Sequence, residues 1–339
     1  MIFSAKQSAA ALLGGIILSN VCHAEAAQPQ VKIVAEQPEF SSLINSNSTA
    51  QLLTDKAVWA EGPACLHQGD FIFSDVKQNK VMRWSEQKGL EVWLSPSHYQ
   101  NGHAVDTQGR VIAASHGQRA VLRQEHDGRW VTLASTWQGK KLNSPNDVIV
   151  APDGAIWFTD PTFGVLNKAE SYGGKPEQDG EYLYRYDTNT KTLSRMNTPE
   201  VHSPNGLAFS PDGKRLYVAD TQIAHDFSNQ KLAHQIVTYR VNGTHLEEGR
   251  IFAKVSPGIP DGIKVDEKGN VWSSSKEGVQ VYSPQGMLLG KILIPASNTG
   301  NLALCTDAGN HHWLYVTAAS LVLRMPVMVG NSTEVAANK

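Results

Sequence analysis

The stretch SPNGLAFSPDG, Ser203 to Gly213, carries two turn dipeptides, Asn-Gly and Asp-Gly, around a short apolar run. Such dipeptides commonly close β-hairpins, because glycine adopts the positive φ that tight turns need. Here the same phrase recurs: SPNDVIVAPDG stands at 144–154 and IPDGIKVDEKG at 259–269. Six segments share a polar head and a glycine eight residues later: Glu61 and Gly69, Asn101 and Gly109, Asn146 and Gly154, Asn205 and Gly213, Asp261 and Gly269, Asn301 and Gly309. A second β-rich run follows each glycine: FIFSD, RVIAAS, AIWFTD, RLYVAD, NVWSSS and WLYVTA. The heads lie 40, 45, 59, 56 and 40 residues apart. Repeats of that length built from short strands signal radial repetition. The expectation is an all-β, six-bladed β-propeller with four-stranded blades around a central channel, over residues 50–326.

The repeat also predicts where chemistry belongs. All six heads enter the innermost strand of their blade at the same end, so they converge on one mouth of the channel. The second strand of each blade runs back, so the loops after it return to that mouth. The longest of these are 161–180 and 221–234, and long loops on a rigid scaffold often serve as lids or specificity elements. After Asn301 there is room for only three strands. The segment AQLLTD at 50–55 is expected to supply the missing outer strand and close the ring, which removes an exposed edge.

Composition narrows the function. The 339 residues carry 30 basic and 32 acidic side chains, and 41% are hydrophobic. This balance gives no basic stripe for nucleic acid and no acidic run for a disordered tail. Lys6, an apolar stretch from Ala9 to Val21 and Cys22-His23-Ala24 describe a secretory signal peptide over residues 1–24, cleaved near Ala24. The apolar stretch is too short to span a bilayer. The reading is an exported protein, periplasmic or secreted, with no membrane anchor, acting as a monomer or small homo-oligomer. Residues 25–49 are polar and read as a loosely held arm, and 327–339 as a polar tail. Cys65 and Cys305 occupy equivalent inner-strand positions in the first and last blades. A bridge needs Cα atoms within about 7 Å, and inner strands of neighbouring blades are expected to stand further apart, so two free buried thiols are the expectation.

The heads comprise two carboxylates and four amides, without Cys or His. Oxygen donors of this kind suit a hard cation, Ca²⁺ or Mg²⁺. The alternative is that Asn-Gly and Asp-Gly only shape turns. His116 follows the second strand of its blade and should reach the mouth. His103 follows a head but alternation can turn it into the blade. There is no G-x-S-x-G elbow, H-E-x-x-H pair, P-loop or dinucleotide glycine fingerprint.

Beyond these patterns, several motifs resemble one family. EGPACL at 61–66, NGHAVDTQGR at 101–110, HGQRAVLR at 116–123, SPNDVIVAPDGAIWFTDPTFG at 144–164, SPNGLAFSPDGKRLYVAD at 203–220, PDGIKVDEKGNVW at 260–272 and NLAL at 301–304 resemble the gluconolactonase / senescence marker protein (regucalcin) family. The resemblance runs from about residue 50 to 326 and is closer to the bacterial gluconolactonase branch. In the animal branch an arginine stands two residues before the PND asparagine; Ser144 stands there in this chain, so the substrate clamp of that branch is not implied. The resemblance implies a sugar lactonase with one divalent ion, Ca²⁺ first and Mg²⁺, Zn²⁺ or Mn²⁺ as alternatives. By motif, the metal ligands are Glu61, Asn146, Asn205 and Asp261. Asp261 is the expected catalytic base or nucleophile, and Asn101, His116 and Asn146 are expected to hold a small-molecule lactone. Two other readings stay open: a phosphotriesterase-type hydrolase on the same metal site, and a non-catalytic binding propeller.

Overall fold

The structure is a computed structural model describing residues 28–66 and 69–332; the leader expected over 1–24 lies outside them. Six antiparallel sheets stand around one axis, and a two-stranded ribbon is added beside the third. The innermost strand of each blade packs on that of the next. The order is Ala60–Cys65, Gln100–Val105, Val148–Val150, Pro204–Phe209, Ile263–Val265 and Asn301–Thr306, which returns to Ala60–Cys65. The chain is therefore a six-bladed β-propeller.

The alternation of apolar residues buries each sheet face against the next blade. Six apolar clusters among the described residues fill the wedges between blades. They include Ile72 with Val111, Phe158 with Val121, Trp157 with Leu207, Tyr217 with Val271, Trp272 with Leu314, and Phe71 with Tyr315. The turn glycines Gly69, Gly109, Gly154, Gly213 and Gly269 have φ of 85°, 78°, 80°, 68° and 86°. In the last blade the left-handed residue is Asn310, φ 61°, one position beyond Gly309.

The Asn-Gly of SPNGLAF is not a hairpin turn. Asn205 and Gly206 lie inside the strand Pro204–Phe209, where pairing with the neighbouring strand slips between Pro204 and Leu207. The same slip occurs between Glu61 and Ala64 and between Gln100 and His103. Freed from their own blade, backbone groups here reach across to the next. Gly102 N–H donates to Asn146 C=O at 2.8 Å, Gly206 N–H to Asp261 C=O at 2.9 Å and Gly262 N–H to Gly300 C=O at 2.8 Å. A Cβ on Gly206 would stand 2.3 Å from the Asp261 carbonyl oxygen. Glycine follows the head because two backbones meet there.

Three expectations are corrected. The segment taken as a loose arm is built into the ring: Lys32–Ala35 pairs with Leu288–Leu293, so the fifth blade has five strands, not four. Phe40, Leu43 and Ile44 are buried in the cluster between the fifth and sixth blades. A short apolar set in a polar segment was enough to anchor it. The segment taken as a polar tail from 327 is also packed at its start. Val327 and Val329 are buried, Met328 N–H donates to Leu43 C=O at 2.8 Å, and Asn331 bridges to Asp266. Lastly, Cys65 and Cys305 form a disulfide with Cα atoms 5.6 Å apart. The inner strands of the first and last blades converge more tightly than expected, and a Cβ on Gly300 would stand 2.0 Å from Glu61 Oε1. Between these blades Gln51–Thr54 pairs antiparallel with Leu321–Val327 as the outermost strand of the sixth sheet.

Candidate active site

The second strands of blades one, three and four end in an aspartate, and each aspartate turns back on its own blade. Asp75 accepts from the Val58 and Trp59 N–H groups at 3.0–3.1 Å. Asp160 accepts from Asn143 at 2.8 Å and Ser144 at 2.9 Å. Asp220 accepts from His202 and Ser203, both at 3.0 Å. These donors immediately precede Glu61, Asn146 and Asn205. A buried carboxylate thus fixes the backbone that leads into each of these heads. Sequence reasoning passed over this device. Its signal was an Asp closing FIFSD, AIWFTD and RLYVAD, 14 or 15 residues after the head.

At the mouth, Glu61, Asn101, Asn146, Asn205 and Asn301 are buried, and Asp261 remains partly open. Glu61 Oε2 accepts from Gly62 N–H at 3.2 Å. Asn205 Nδ2 lies 3.4 Å from Thr221 Oγ1. Asn301 uses its Oδ1 on Leu302 N–H at 2.8 Å. Asp147 takes the place of the glycine after Asn146. Its Oδ1 accepts from Val148 N–H at 2.9 Å, and its Oδ2 faces Lys264 Nζ at 3.7 Å.

Glu61 and Asp261 have no cationic partner among the described residues, and each is electrostatically strained. Burial, then the charge of Asp261, raises the Glu61 carboxyl well above its ordinary value, with Asp147 and Glu170 adding to the rise. Burial, then Asp147 and Glu170, pushes Asp261 up to about 7, against the hydrogen-bonding influence of Asn205. Among the described residues no group of three or more His, Cys, Asp or Glu side chains is gathered to hold a metal ion. The donor set here is different: two uncompensated carboxylates and the amides of Asn146 and Asn205. Buried like charges without a counter-ion are costly. Oxygen donors carrying two negative charges fit a hard divalent cation, so the residues present suit the ion that the motifs imply.

Asn101 and His116 meet at the rim. Asn101 Nδ2 lies 3.2 Å from His116 Nε2, so the ring accepts there and carries its proton on Nδ1. Burial lowers His116 to about 4, which leaves it neutral at pH 7. Its Nδ1 is buried under Gly164, and the Glu170 backbone lies beside the ring. His103 does turn into the blade. It bonds Gly62 C=O at 2.8 Å and Gln100 Oε1 at 3.2 Å, and is structural.

The loop 161–180 covers this side of the mouth. It contains a one-turn helix, Phe163–Leu166, and crosses from the third blade towards the first. Tyr172 OH meets His98 Nδ1 at 2.9 Å and its ring stands edge-on to Tyr99 at 5.1 Å. Glu170 pairs with Lys77 at 3.5 Å. Burial raises the Glu170 carboxyl, with Lys77 opposing. At its other end the loop joins 221–234: Phe163 stacks on His225 at 4.6 Å, and His225 Nε2 pairs with Glu181 at 3.1 Å. Glu170 lies in a loop without a repeat signal, so the repeat reading did not reach it, yet its charge is felt by both mouth carboxylates.

The fold and the site define an all-β, six-bladed propeller with acid and amide side chains at one mouth of its channel. The chain belongs to the SMP-30/Gluconolactonase/LRE-like region family, whose model matches residues 59–320. It is 28% identical over 323 residues to a gluconolactonase of Zymomonas mobilis, covering 87% of this chain and 85% of the relative. It is 30% identical over 250 residues to a pentonolactonase of Haloferax volcanii, covering 72% and 76%. A solved Xanthomonas campestris structure described as a gluconolactonase superposes with a TM-score of 0.81 at 35% identity, covering 89% of this chain and 96% of that one.

Proposed function

We propose that the protein is an exported, divalent-cation-dependent hydrolase that opens sugar lactones, with Ca²⁺ as the ion. The observation that carries this reading is the uncompensated Glu61–Asp261 pair in a channel mouth also lined by Asn146 and Asn205. The lactonase relatives supply the substrate class. Export is supported by the leader-like residues 1–24 and by the Cys65–Cys305 bridge, which suits an oxidising compartment.

Glu61, Asn146, Asn205 and Asp261 would hold the ion. When bound, a divalent cation polarises a lactone carbonyl and stabilises developing negative charge on its oxygen. Asp261, which keeps part of its surface open, would take the proton from attacking water. Asn101, oriented through His116, offers its amide to a substrate hydroxyl. Neutral His116 orients rather than donates a proton at pH 7. The loop 161–180 shields the site from bulk water.

The test compares Glu61→Gln with Asp261→Asn, assayed on glucono-δ-lactone with and without chelator. Glu61→Gln should mainly weaken ion affinity, and excess Ca²⁺ should restore part of the rate. Asp261→Asn should lose about 10²-fold or more in kcat, the scale of a positioned proton-transfer group, without rescue. Full recovery of Asp261→Asn at saturating Ca²⁺ makes Asp261 a ligand only. Full wild-type activity under chelation rejects the metal reading. Sequencing the N-terminus of the exported fraction tests cleavage near Ala24.

A further inference from the structure

On the same face as the mouth, beside the fourth blade, a cavity of about 280 Å³ is lined by His202, Gln222, Gln230, Lys231, His234 and Lys254, among others, and by no carboxylate. Its two histidines are held in matching ways. His202 Nδ1 lies 3.1 Å from Asp220 Oδ2, and His234 Nδ1 lies 2.9 Å from Val255 C=O. Both partners only accept, so each Nδ1 carries the proton and each Nε2 is left uncommitted. An imidazole held this way offers a second N–H once protonated. Lys231 and Lys254 are exposed and have no ion-pair partner among the described residues. Gln222 uses its Oε1 on Ala233 N–H at 3.2 Å, which leaves its NH₂ free to donate. The cavity therefore presents two lysine ammonium groups and the Gln222 NH₂, and each histidine adds a second N–H once protonated.

The mouth has the opposite character. Glu61, Asp147, Glu170 and Asp261 act on one another there. Opening a lactone turns a neutral ring into a hydroxy acid, whose new carboxylate is matched by cationic and donor groups. The histidine–lysine cavity is a concave surface of opposite character on the same face. The wall formed by 221–234 belongs to both regions, since His225 of that loop closes on Glu181 and Phe163.

We propose that this cavity is an anion subsite that binds the carboxylate of a sugar acid, separate from the catalytic mouth. The choice of ligand rests on the lactone-opening reading, whereas the binding test does not require catalysis. Gluconate, glucose and inorganic phosphate are titrated into the full-length, Ca²⁺-loaded protein. The ring signals of His202 and His234 are followed by NMR and assigned with His202→Gln and His234→Gln. Gluconate should shift both rings and glucose neither. The double variant Lys231→Gln/Lys254→Gln should bind gluconate about tenfold more weakly, as expected for losing two exposed charge contacts, with an unchanged melting temperature and lactone kcat. If gluconate leaves both rings unmoved, or binds the double variant as tightly as the wild type, the subsite is refuted. If phosphate moves the rings and gluconate does not, the sugar-acid assignment is refuted. A protein that binds gluconate at these histidines but hydrolyses no lactone would overturn the proposed reaction and leave the subsite standing.

Discussion

The Cys65–Cys305 bridge ties the first blade to the last across 240 residues. A cross-link limits the unfolded chain, and in the chain-entropy account a loop of this size is worth about 5 kcal/mol, with measured bridges more often near 2–4 kcal/mol. Unfolding entropy of about 2.1 cal/mol/K per residue over roughly 300 ordered residues converts each kcal/mol into about 1.6 °C. Removing the bridge should therefore lower the melting temperature by about 3–8 °C. The half-buried Cys65 and the buried Cys305 lie among apolar neighbours, Phe71 and Tyr315 included, so serine leaves little void. The assay is a calorimetric comparison of wild type with Cys65→Ser/Cys305→Ser, both produced under oxidising conditions. Alkylation after denaturation without reductant should modify neither cysteine in the wild type. Two alkylated cysteines, or superimposable melting curves, would refute the reasoning.

Three further outcomes follow from the geometry. Gly206→Ala places a methyl 2.3 Å from the Asp261 carbonyl oxygen and 2.8 Å from Ile263 N. It should cost about 1–3 kcal/mol in stability and lower kcat by displacing Asp261, read from melting and initial rates together. Phe40→Ala removes a ring that is 1% exposed and sits over Gly290; a loss of about 3–5 kcal/mol in a denaturant titration is expected. Both mouth carboxyls are raised in the fold, Asp261 to about 7, so the stability that protonated Asp261 contributes is present in acid and lost as pH rises through about 7, and raised Glu61 acts in the same direction. Chelation should thus lower the melting temperature more at about pH 8 than at about pH 6; an equal drop at both would show that the two acids do not hold the ion.

How much of this was legible in the sequence depended on whether a feature repeats. The heads and turn glycines repeat, so the six blades and the convergence of the six heads on one mouth could be read from spacing, whereas singling out Glu61, Asn146, Asn205 and Asp261 rests on the motif resemblance. Asn310 replaces Gly309 at the left-handed position because Asn tolerates that conformation, and the repeat survives the exchange. The Asn-Gly pairs look like turns and are close backbone approaches, a distinction that needs the neighbouring blade, 40 or more residues away. Glu170, Lys77 and Tyr172 meet through a single non-repeated loop, so no period points to them. Lys32–Ala35 was hidden because four residues with one face on a sheet edge carry little pattern, and the bridge was hidden because strand convergence at the seam is not written locally.

The segments at the front of the chain have a consequence for the order in which the molecule is made. Lys32–Ala35 and Gln51–Thr54 leave the ribosome first, yet their partners, Leu288–Leu293 and Leu321–Val327, are synthesised last. During most of elongation these early strands have no partner, and the sixth sheet has no outer edge. Long-range pairings of this kind form slowly, and unpaired edges invite association between chains. Circularity in this fold is thus a late event. A nascent chain that stops before about residue 320 lacks Leu321–Val327, so its Gln51–Thr54 segment stays unpaired and open to edge association with another chain.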